Sequence, residues 1–309
     1  MRLSKTIVKV FLSCCFCTFI MEILMSKTPN SANLITFLQF FFISLQGFIF
    51  TTKCGTISPK IPLKQYTILT GLFFITHVSN NYVYALHVPT TLHMIIRSAS
   101  SPAGMIVYCI AKKQLPKLSN AIGSVLISIG VALAMYGGAP TGDSRGTFFY
   151  WCIGVTILLS TLVTGALTGL QQEVLFQKYG KHPDEMMFYT HVIGLPFFVS
   201  VYPHLQTSAL SLSWDIWALI TLNITFQFFC AQSVHELATT ETSVTVTFIL
   251  TLRKFVSLLL SSIFFKNSLT ALHVIGTVFV TVGTCIYFDF FFYRKQRPIS
   301  YYNDDKKRN

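Results

Sequence analysis

The chain has 309 residues, of which 52% are hydrophobic and only 11% are charged, and its mean hydropathy is +0.58. Soluble domains carry about 25% charged residues, so this composition excludes an ordinary soluble domain and indicates an integral membrane protein. A net charge of +12 would suggest nucleic-acid binding in a soluble protein. In a membrane protein it follows from the enrichment of Lys and Arg in cytosolic loops. The expected environment is the lipid bilayer, and no nucleic-acid partner is predicted.

Ten apolar runs follow one another along the chain, each long enough to cross a bilayer as a helix. The first run follows three basic residues and continues to Met25 without a small-residue cleavage site, which indicates a retained span rather than a signal peptide. The sequence therefore predicts an all-α integral membrane protein with ten transmembrane helices and no inserted soluble domain. The predicted spans are 7–25, 33–51, 65–86, 90–111, 118–137, 148–171, 186–204, 215–234, 242–265 and 270–291.

Basic residues are distributed unevenly between the two sides of the predicted membrane. With the N-terminus in the cytosol, 17 of the 23 Lys and Arg residues fall on cytosolic segments, 3 on lumenal segments and 3 within spans. This positive-inside pattern predicts an even number of spans with both termini cytosolic. Residues 292–309 then form a basic cytosolic tail.

Two segments 153 residues apart are similar in sequence. Residues 122–130 read IGSVLISIG and residues 275–283 read IGTVFVTVG, each with two glycines seven residues apart. These glycines are predicted to form close-packing stripes on the fifth and tenth spans. Because five spans per half would invert the second half, we predict two inverted five-helix repeats, 1–137 and 148–291, joined by a lumenal loop at 138–147. Chance similarity between apolar helices is the alternative.

Three cations lie within the predicted spans, Arg97 in the fourth and Arg253 and Lys254 in the ninth. Each costs roughly 2.5–3.5 kcal/mol at a helix centre, so an intramembrane cation indicates a functional site. Lys254 lies on a polar helix face, whereas Arg253 is turned about 100° away from it. Cations around one cavity suit a ligand with several phosphate oxygens. The other residues of the polar face are Thr247, Thr251, Ser257 and Ser261.

Structural roles are the alternative for these cations. Arg97 could pair with Glu22 or Glu173, and a cation in the ninth span could form an internal ion pair or snorkel to the interface. Arg253 could also connect the ninth helix to a neighbouring helix.

Polar and aromatic residues in the third and seventh spans are candidates for recognising a base or a sugar, because they offer amide, hydroxyl and ring groups. Interhelical hydrogen bonds and anchoring at the membrane interface are the alternatives. The candidates are Asn80, Asn81, Tyr84, Phe188, Tyr189 and His191. In the sixth span, Gly165 and Gly169 form a GxxxG pattern that is typical of helix packing.

The sequence contains no catalytic or metal-binding motif. There is no phosphate-binding P-loop, no HExxH and no Ser/His/Asp arrangement, and the acidic residues in the spans are dispersed. We therefore predict neither an enzyme nor a cofactor. The 8 Cys residues lie mostly in apolar runs without metal-ligand spacing, so we expect neither a disulfide framework nor a zinc site.

Three stretches resemble the nucleotide-sugar transporters of the drug/metabolite transporter superfamily, and especially the subgroup that carries UDP-N-acetylglucosamine and UDP-xylose. They are residues 79–86 (SNNYVYAL), 92–98 (LHMIIRS) and 251–257 (TLRKFVS), and residues 33–40 and 188–191 add to the resemblance. The resemblance implies antiport of a cytosolic UDP-sugar against lumenal UMP by alternating access.

The resemblance also implies roles for individual residues. Lys254 corresponds to the family's phosphate-binding lysine of the ninth helix, and Arg97 looks like its fourth-helix cation. The family's Phe-Tyr-Asn-Asn-like motif reads Phe188-Tyr189-Thr190-His191 here, so its asparagine contacts are changed. The residues predicted to bind substrate are Arg97, Arg253, Lys254, Thr251, Ser257, Ser98, Asn80, Asn81, Tyr84, Phe188, Tyr189 and His191.

The last four residues are Lys306, Lys307, Arg308 and Asn309, which look like a dilysine retrieval signal. Such a signal favours the membrane of the endoplasmic reticulum or the Golgi apparatus, and a basic tail attracted to anionic lipid is the alternative. The sequence leaves open which UDP-sugar is carried and whether the protein forms a homodimer. The alternative functions are transport of another nucleotide sugar or phosphorylated metabolite and, with less support, a multispan lipid-linked glycosyltransferase.

Overall fold

The computed structural model describes residues 2–28, 31–85, 96–137, 148–210, 212–264 and 271–288. All regular secondary structure in these residues is helical, in agreement with the predicted fold class. The predicted loop 138–147 and the basic tail with Lys306 and Lys307 lie outside the described residues. The α-helices are α1 (Arg2–Lys27), α2 (Ala32–Phe50), α3 (Leu63–Ala85), α4 (Ser100–Lys112), α5 (Leu118–Gly137), α6 (Phe148–Tyr179), α7 (Pro183–Gly194), α8 (Tyr202–Leu210), α9 (Trp214–Ala238), α10 (Ser243–Phe264) and α11 (Ala271–Tyr287).

In the described part of the chain, four helical segments are long and apolar enough to cross a membrane. They lie in α1, α2, α6 and α9, and shorter apolar helices occur in α5 and α11. The fold is thus that of a helical membrane protein and is compatible with a transporter. The number of ten spans and the cytosolic position of both termini stay predictions.

The seventh predicted span is not one continuous α-helix. It consists of α7, a 3-10 helix at Leu195–Val201, and α8. Pro196 lies at the start of the 3-10 segment and has no backbone N–H to donate to the preceding turn. Its ring also crowds that turn, so the α-helical hydrogen-bond pattern cannot continue through this position. The proline therefore explains why the sequence-based span is divided.

The connection between α6 and α7 is fixed by local backbone chemistry. Gly180 has a φ of +97°, a conformation that glycine adopts without strain and that commonly ends a helix. Pro183 then occupies the first turn of α7, where its missing N–H costs nothing, and Asp184 and Glu185 place negative charge at that helix N-terminus. Together these residues turn the chain from the long α6 directly into α7.

The predicted glycine stripes on α5 and α11 pack against each other. A Cβ atom on Gly123 would lie 2.7 Å from the carbonyl oxygen of Gly283, and one on Gly130 would lie 2.7 Å from that of Gly276. The earlier glycine of each helix therefore faces the later glycine of the other, so the two helices are antiparallel. This reciprocal contact has the pattern expected of an inverted repeat, although the repeat boundaries themselves stay predictions.

Contrary to the expectation from sequence, one pair of cysteines forms a disulfide. Cys14 of α1 and Cys230 of α9 are bonded, with their Cα atoms 4.7 Å apart. The sequence pattern suggested unpaired packing residues because both cysteines lie in apolar runs, and a separation of 216 residues gives no spacing signal. Both are buried within an apolar cluster, so the bond joins helices that are already packed together.

Polar contacts next to the disulfide join the same helices to α2. Asn223 of α9 is fully buried, donates to the carbonyl oxygen of Cys17 at 2.9 Å and accepts from Gln39 at 2.7 Å. These are the interhelical hydrogen bonds expected for amides inside a membrane. On the other side of the bundle α3 packs extensively against α6, and α4 contacts both α6 and α10. That second group of helices encloses the candidate site.

Candidate functional site

A cavity of about 310 Å³ lies among α3, α4, α6 and α10. Its lining includes all three cations predicted within the spans: Arg97 in the helical turn before α4, and Arg253 and Lys254 on α10. Positions far apart in sequence are thus brought together around one space. The other lining residues are Thr76, Asn80, Ser100, Thr161, Leu162, Gly165, Ala166, Thr247 and Leu250.

The two cations of α10 have few protein partners. Arg253 donates from Nη1 to the hydroxyl of Thr18 in α1 at 3.4 Å, which connects α10 to a neighbouring helix as predicted. Its Nε atom is buried without a hydrogen-bond partner in the described part of the chain. Within the same described residues, Lys254 forms neither an ion pair nor a hydrogen bond. A buried donor without a partner is costly, so this arrangement is suited to an anion that supplies the missing acceptors.

None of the described residues that line the cavity carries a carboxylate. The alternative of a structural ion pair with Glu173 is not what the structure contains. The Glu173 carboxylate accepts the backbone N–H of Ser243 at 2.7 Å and the side-chain amide of Gln177 at 3.0 Å. Glu173 therefore binds the N-terminus of α10, where a negative charge is favourable, and does not neutralise the cavity.

The other predicted residues of α10 serve different purposes. Thr247 lines the cavity, whereas Thr251 is fully buried and shares a 3.2 Å hydrogen bond with Ser100 of α4. Ser257 donates to the sulfur of Cys15 in α1 at 3.3 Å. In this structure Thr251 and Ser257 hold α10 against its neighbours. The side chain of Ser261, a further residue of the predicted polar face, lies outside the described residues.

Ser98 lies next to Arg97 in sequence but is buried in a helix contact. Its hydroxyl donates to the carbonyl oxygen of Ser128 in α5 at 3.2 Å, and the Ser128 hydroxyl donates back to the Ser98 carbonyl oxygen at 2.9 Å. This reciprocal pair fixes the turn that carries Arg97 against α5. In this structure Ser98 therefore positions the cation.

The amide of Asn80 contributes to the cavity from α3. Its Nδ2 donates to the carbonyl oxygen of Thr76 at 2.7 Å, and its Oδ1 accepts from the hydroxyl of Thr161 in α6 at 3.2 Å. The Asn80 side chain thus lines the cavity and also links α3 to α6 through a hydrogen bond. The side chains of Asn81 and Tyr84 lie outside the described part of the structure.

The aromatic residues of α7 do not line this cavity in the structure. Phe188 is buried against Gly47 of α2, where an added Cβ would lie 2.6 Å from the phenyl ring. Tyr189 stacks on Tyr66 with ring centroids 4.8 Å apart. His191 is also buried, with Nδ1 2.7 Å from the carbonyl oxygen of Met187. Base recognition by these residues stays a prediction.

Helix α6 contributes to the site, although no substrate contact was predicted for it from the sequence. Thr161, Leu162, Gly165 and Ala166 all line the cavity. The signal was present, since small and polar residues recur at helical spacing from Thr161 onwards. The GxxxG pattern predicts helix packing for Gly165 and Gly169, but an added Cβ would lie 3.8 Å from Thr76 at Gly165 and 3.6 Å from Ser243 at Gly169, which are ordinary contact distances.

Three of the described clefts are larger than this cavity; one of about 350 Å³ is lined by apolar residues, and the other two lie near the ends of helices. The latter two measure about 460 and 430 Å³ and share Lys181, Asp184 and Gln232 among their lining residues. Charges of both signs line these two clefts, and Lys9 pairs with Glu236 at 3.7 Å in the larger one. Their cations are therefore offset by nearby carboxylates. The cavity among α3, α4, α6 and α10 is the better anion site because the charged residues of its described lining are all cations.

The residues that line the cavity among α3, α4, α6 and α10 are suited to binding a ligand. The described lining offers cations, hydroxyl groups and one amide, but no pair of a nucleophile and a general base. Arg can bind phosphate oxygens in a bidentate manner, and Lys binds them as a point charge. The site is thus suited to hold a phosphorylated ligand that also carries uncharged polar groups.

Comparison with known proteins agrees with this chemistry. The profile of the UAA transporter family matches residues 3–290. A UDP-xylose and UDP-N-acetylglucosamine transporter of Danio rerio is 36% identical over 90% of this chain and 91% of its own length. An endoplasmic reticulum GDP-fucose transporter of Drosophila melanogaster is also 36% identical, over 90% and 88% of the two chains. A UDP-N-acetylglucosamine transporter of Schizosaccharomyces pombe is 32% identical over 90% and 92%.

The fold is also found among solved structures. One crystal structure aligns with a TM-score of 0.68 over 92% of this chain and 96% of the other, at 10% sequence identity. This likeness concerns the fold alone. The resemblance predicted from sequence is confirmed by the family match, and so is the expectation of a transporter rather than an enzyme. The chain belongs to the UAA transporter family, a family of nucleotide-sugar transporters.

Proposed function

We propose that the protein is an antiporter that exchanges a cytosolic UDP-sugar for lumenal UMP. The observation that carries this proposal is the cavity in which Arg97, Arg253 and Lys254 converge without a carboxylate among its described lining residues. A diphosphate supplies negative charge and several acceptor oxygens, including acceptors for Arg253 Nε and Lys254, which have none among the described residues. The other side chains of the lining, such as Thr161 and Asn80, suit the hydroxyl groups of a sugar.

The charge of the cavity also accounts for exchange rather than one-way transport. Three cations lie around about 310 Å³, and each is costly when it is removed from water. Reorientation of the empty carrier would require these like charges to pass through a closed, poorly hydrated state. A bound nucleotide neutralises them and lowers that cost in both directions. The coupling between outward and inward transport is therefore electrostatic.

The sugar proposed is N-acetylglucosamine or xylose, because the Danio rerio relative is named for both. A second candidate is GDP-fucose, since the Drosophila melanogaster relative of equal identity is named an endoplasmic reticulum GDP-fucose transporter. Both candidates share the diphosphate and differ in the base and the sugar. The same three cations would serve either one.

The protein is a multi-pass protein of the endoplasmic reticulum or Golgi membrane. The apolar spans and the relative from the endoplasmic reticulum support this location. Replacement of Lys306 and Lys307 by Ser tests the proposed role of the tail. The double variant should move beyond the early secretory pathway in fluorescence microscopy of intact cells, whereas an unchanged distribution would remove the targeting role.

The transport proposal is tested with purified protein in liposomes. Liposomes preloaded with UMP should take up labelled UDP-N-acetylglucosamine or UDP-xylose, and empty liposomes should take up far less. GDP-fucose with GMP inside is the parallel arm, and uptake in that arm alone would establish the second candidate.

Lys254→Ala should abolish exchange in whichever arm is active, because it removes a phosphate-binding charge. Lys117→Ala is the matched control, since Lys117 is exposed and does not line the cavity. Exchange at the normal rate in Lys254→Ala would contradict the assigned role, and uptake that is independent of preloading would contradict antiport.

A further inference from the structure

The helices around the cavity differ in the charge of the lining residues that they contribute. The cations come from α10 and from the turn before α4. The described lining residues on α3 and α6 are uncharged and comprise Thr76, Asn80, Thr161, Leu162, Gly165 and Ala166. A bound nucleotide sugar has the same division, because its negative charge is confined to the diphosphate. Once the phosphates contact the cations, an uncharged part of the ligand must contact α3 and α6.

The polar atoms on this uncharged side are held in place by the protein. The hydroxyl of Thr76 donates to that of Thr164 at 2.8 Å, and the hydroxyl of Thr161 reaches the amide oxygen of Asn80 at 3.2 Å. Hydroxyl and amide groups that are fixed by their neighbours are well suited to the hydroxyls of a sugar. Aromatic rings, which would stack on a base, do not occur among the described residues that line the cavity.

Gly165 is an exposed residue that lines this side of the cavity without a side chain. An added Cβ would lie at an ordinary contact distance of 3.8 Å from Thr76 Cγ2, with no other atom of the described residues within 4 Å. Gly123 and Gly130, which lie at a helix contact, differ from Gly165, because an added Cβ at either position would lie 2.7 Å from a backbone oxygen. Helix packing therefore does not require glycine at position 165. The absent side chain leaves space that a ligand can occupy.

We propose that the α6 face formed by Thr161, Leu162, Gly165 and Ala166 contacts the sugar of the transported nucleotide sugar, and that Gly165 sets the size of sugar accepted. This inference rests on the proposed function. It adds an orientation, with the diphosphate on α10 and the sugar on α6. It also assigns sugar selection to a helix in which no substrate contact was predicted from sequence.

A graded series of substitutions tests the proposal. Gly165→Ala adds a methyl group that the structure accommodates, whereas Gly165→Val and Gly165→Leu place further atoms in the cavity. Each variant is compared with the wild type in liposomes for exchange of UDP-N-acetylglucosamine, UDP-xylose and UMP, all against internal UMP. Val163→Phe is the matched control, because Val163 is exposed on the same helix but does not line the cavity.

Comparison of the three substrates distinguishes contacts with the sugar from contacts with the nucleotide. Gly165→Leu should lower exchange of UDP-N-acetylglucosamine by about tenfold or more, since misfit of one or two carbon atoms in a pocket has effects of this order. UDP-xylose lacks the N-acetyl and hydroxymethyl groups and should lose less. UMP has no sugar, so its exchange should stay within about twofold of the wild type, which also shows that the variant is folded and inserted.

Other results would overturn the proposal in distinguishable ways. Equal loss for UMP and both UDP-sugars in Gly165→Val and Gly165→Leu would place the nucleotide, and not the sugar, at α6. Full activity of all variants with every substrate would remove α6 from the site. Absence of UDP-sugar exchange in the wild type would instead overturn the proposed function. If GDP-fucose is the transported substrate, the same comparison is made between GDP-fucose and GMP.

Discussion

Replacement of Gly123 or Gly130 by Ala tests the close backbone contact between α5 and α11. The new Cβ in either variant would lie 2.7 Å from a carbonyl oxygen, whereas an ordinary contact begins at 3.4 Å, so the helices must separate locally by about 0.7 Å. Three opposing atoms lie below 3.0 Å at each position, and those nearest to Gly123 include backbone atoms that cannot rotate away. Overpacking of this kind costs about 1–3 kcal/mol.

The matched control is Gly71→Ala in α3. No atom of the described residues lies within 4 Å of a Cβ added at Gly71, so this variant gains the helix propensity of Ala, close to 1 kcal/mol, without a steric cost. Because that gain is common to all three variants, the difference between them isolates the packing term. Gly123→Ala and Gly130→Ala should therefore unfold at lower temperature than Gly71→Ala.

The assay is thermal unfolding of the purified protein in detergent, followed by intrinsic tryptophan fluorescence or by the loss of a monodisperse chromatographic peak. The glycine contact also predicts that Gly123→Ala and Gly130→Ala are destabilised to a similar degree, since each faces a carbonyl oxygen at 2.7 Å. Unfolding temperatures equal to that of Gly71→Ala would refute the reasoning, because α5 and α11 would then lie farther apart than the structure places them.

Three further predictions concern the interior of the bundle. Denatured protein that has not been reduced should react with maleimide at six cysteines, and at all eight after reduction, if Cys14 and Cys230 are bonded; eight reactive thiols before reduction would rule the disulfide out. Asn223→Leu removes hydrogen bonds to Cys17 and Gln39 and should cost about 1–3 kcal/mol of stability, visible as a lower unfolding temperature. Lys254→Ala should raise the unfolding temperature of the empty carrier and abolish its stabilisation by UMP, since one of several like charges is removed; a lower temperature would indicate a structural ion pair.

The global features of the fold could be predicted from sequence because they depend on patterns that extend over many residues. Apolar runs identified the helices, and the paired glycine motifs at 122–130 and 275–283 identified a contact that the structure contains. The break in the seventh span was missed, although Pro196 was visible in the sequence. Hydropathy averages over a window and does not respond to one missing backbone donor.

The candidate site was predictable where a single residue is unusual by itself. A cation within an apolar span is costly wherever it points, so Arg97, Arg253 and Lys254 could be identified without coordinates. Gly165 was different, because a glycine in a helix can serve packing or leave space, and only the distance to its neighbours separates the two. The disulfide was missed for a related reason, since Cys14 and Cys230 become neighbours only when α1 packs on α9.

The proposed binding mode places the sugar on one side of the symmetry axis that the predicted repeats imply. Exchange of the two predicted repeats would relate α4 to α10, and would relate the pair α3 and α6 to the pair α9 and α1. The cations lie on α10 and in the turn before α4, which this symmetry relates to each other. The helix pairs beside them differ in structure, although the symmetry would relate those as well. The α3–α6 pair is joined by hydrogen bonds of Thr76 and Asn80 and lines the cavity, whereas the α1–α9 pair is joined by a disulfide and by the hydrogen bonds of Asn223. In the proposed binding mode the diphosphate would lie near the predicted axis, and the described residues of α3 and α6 would leave space for the sugar on their side of it.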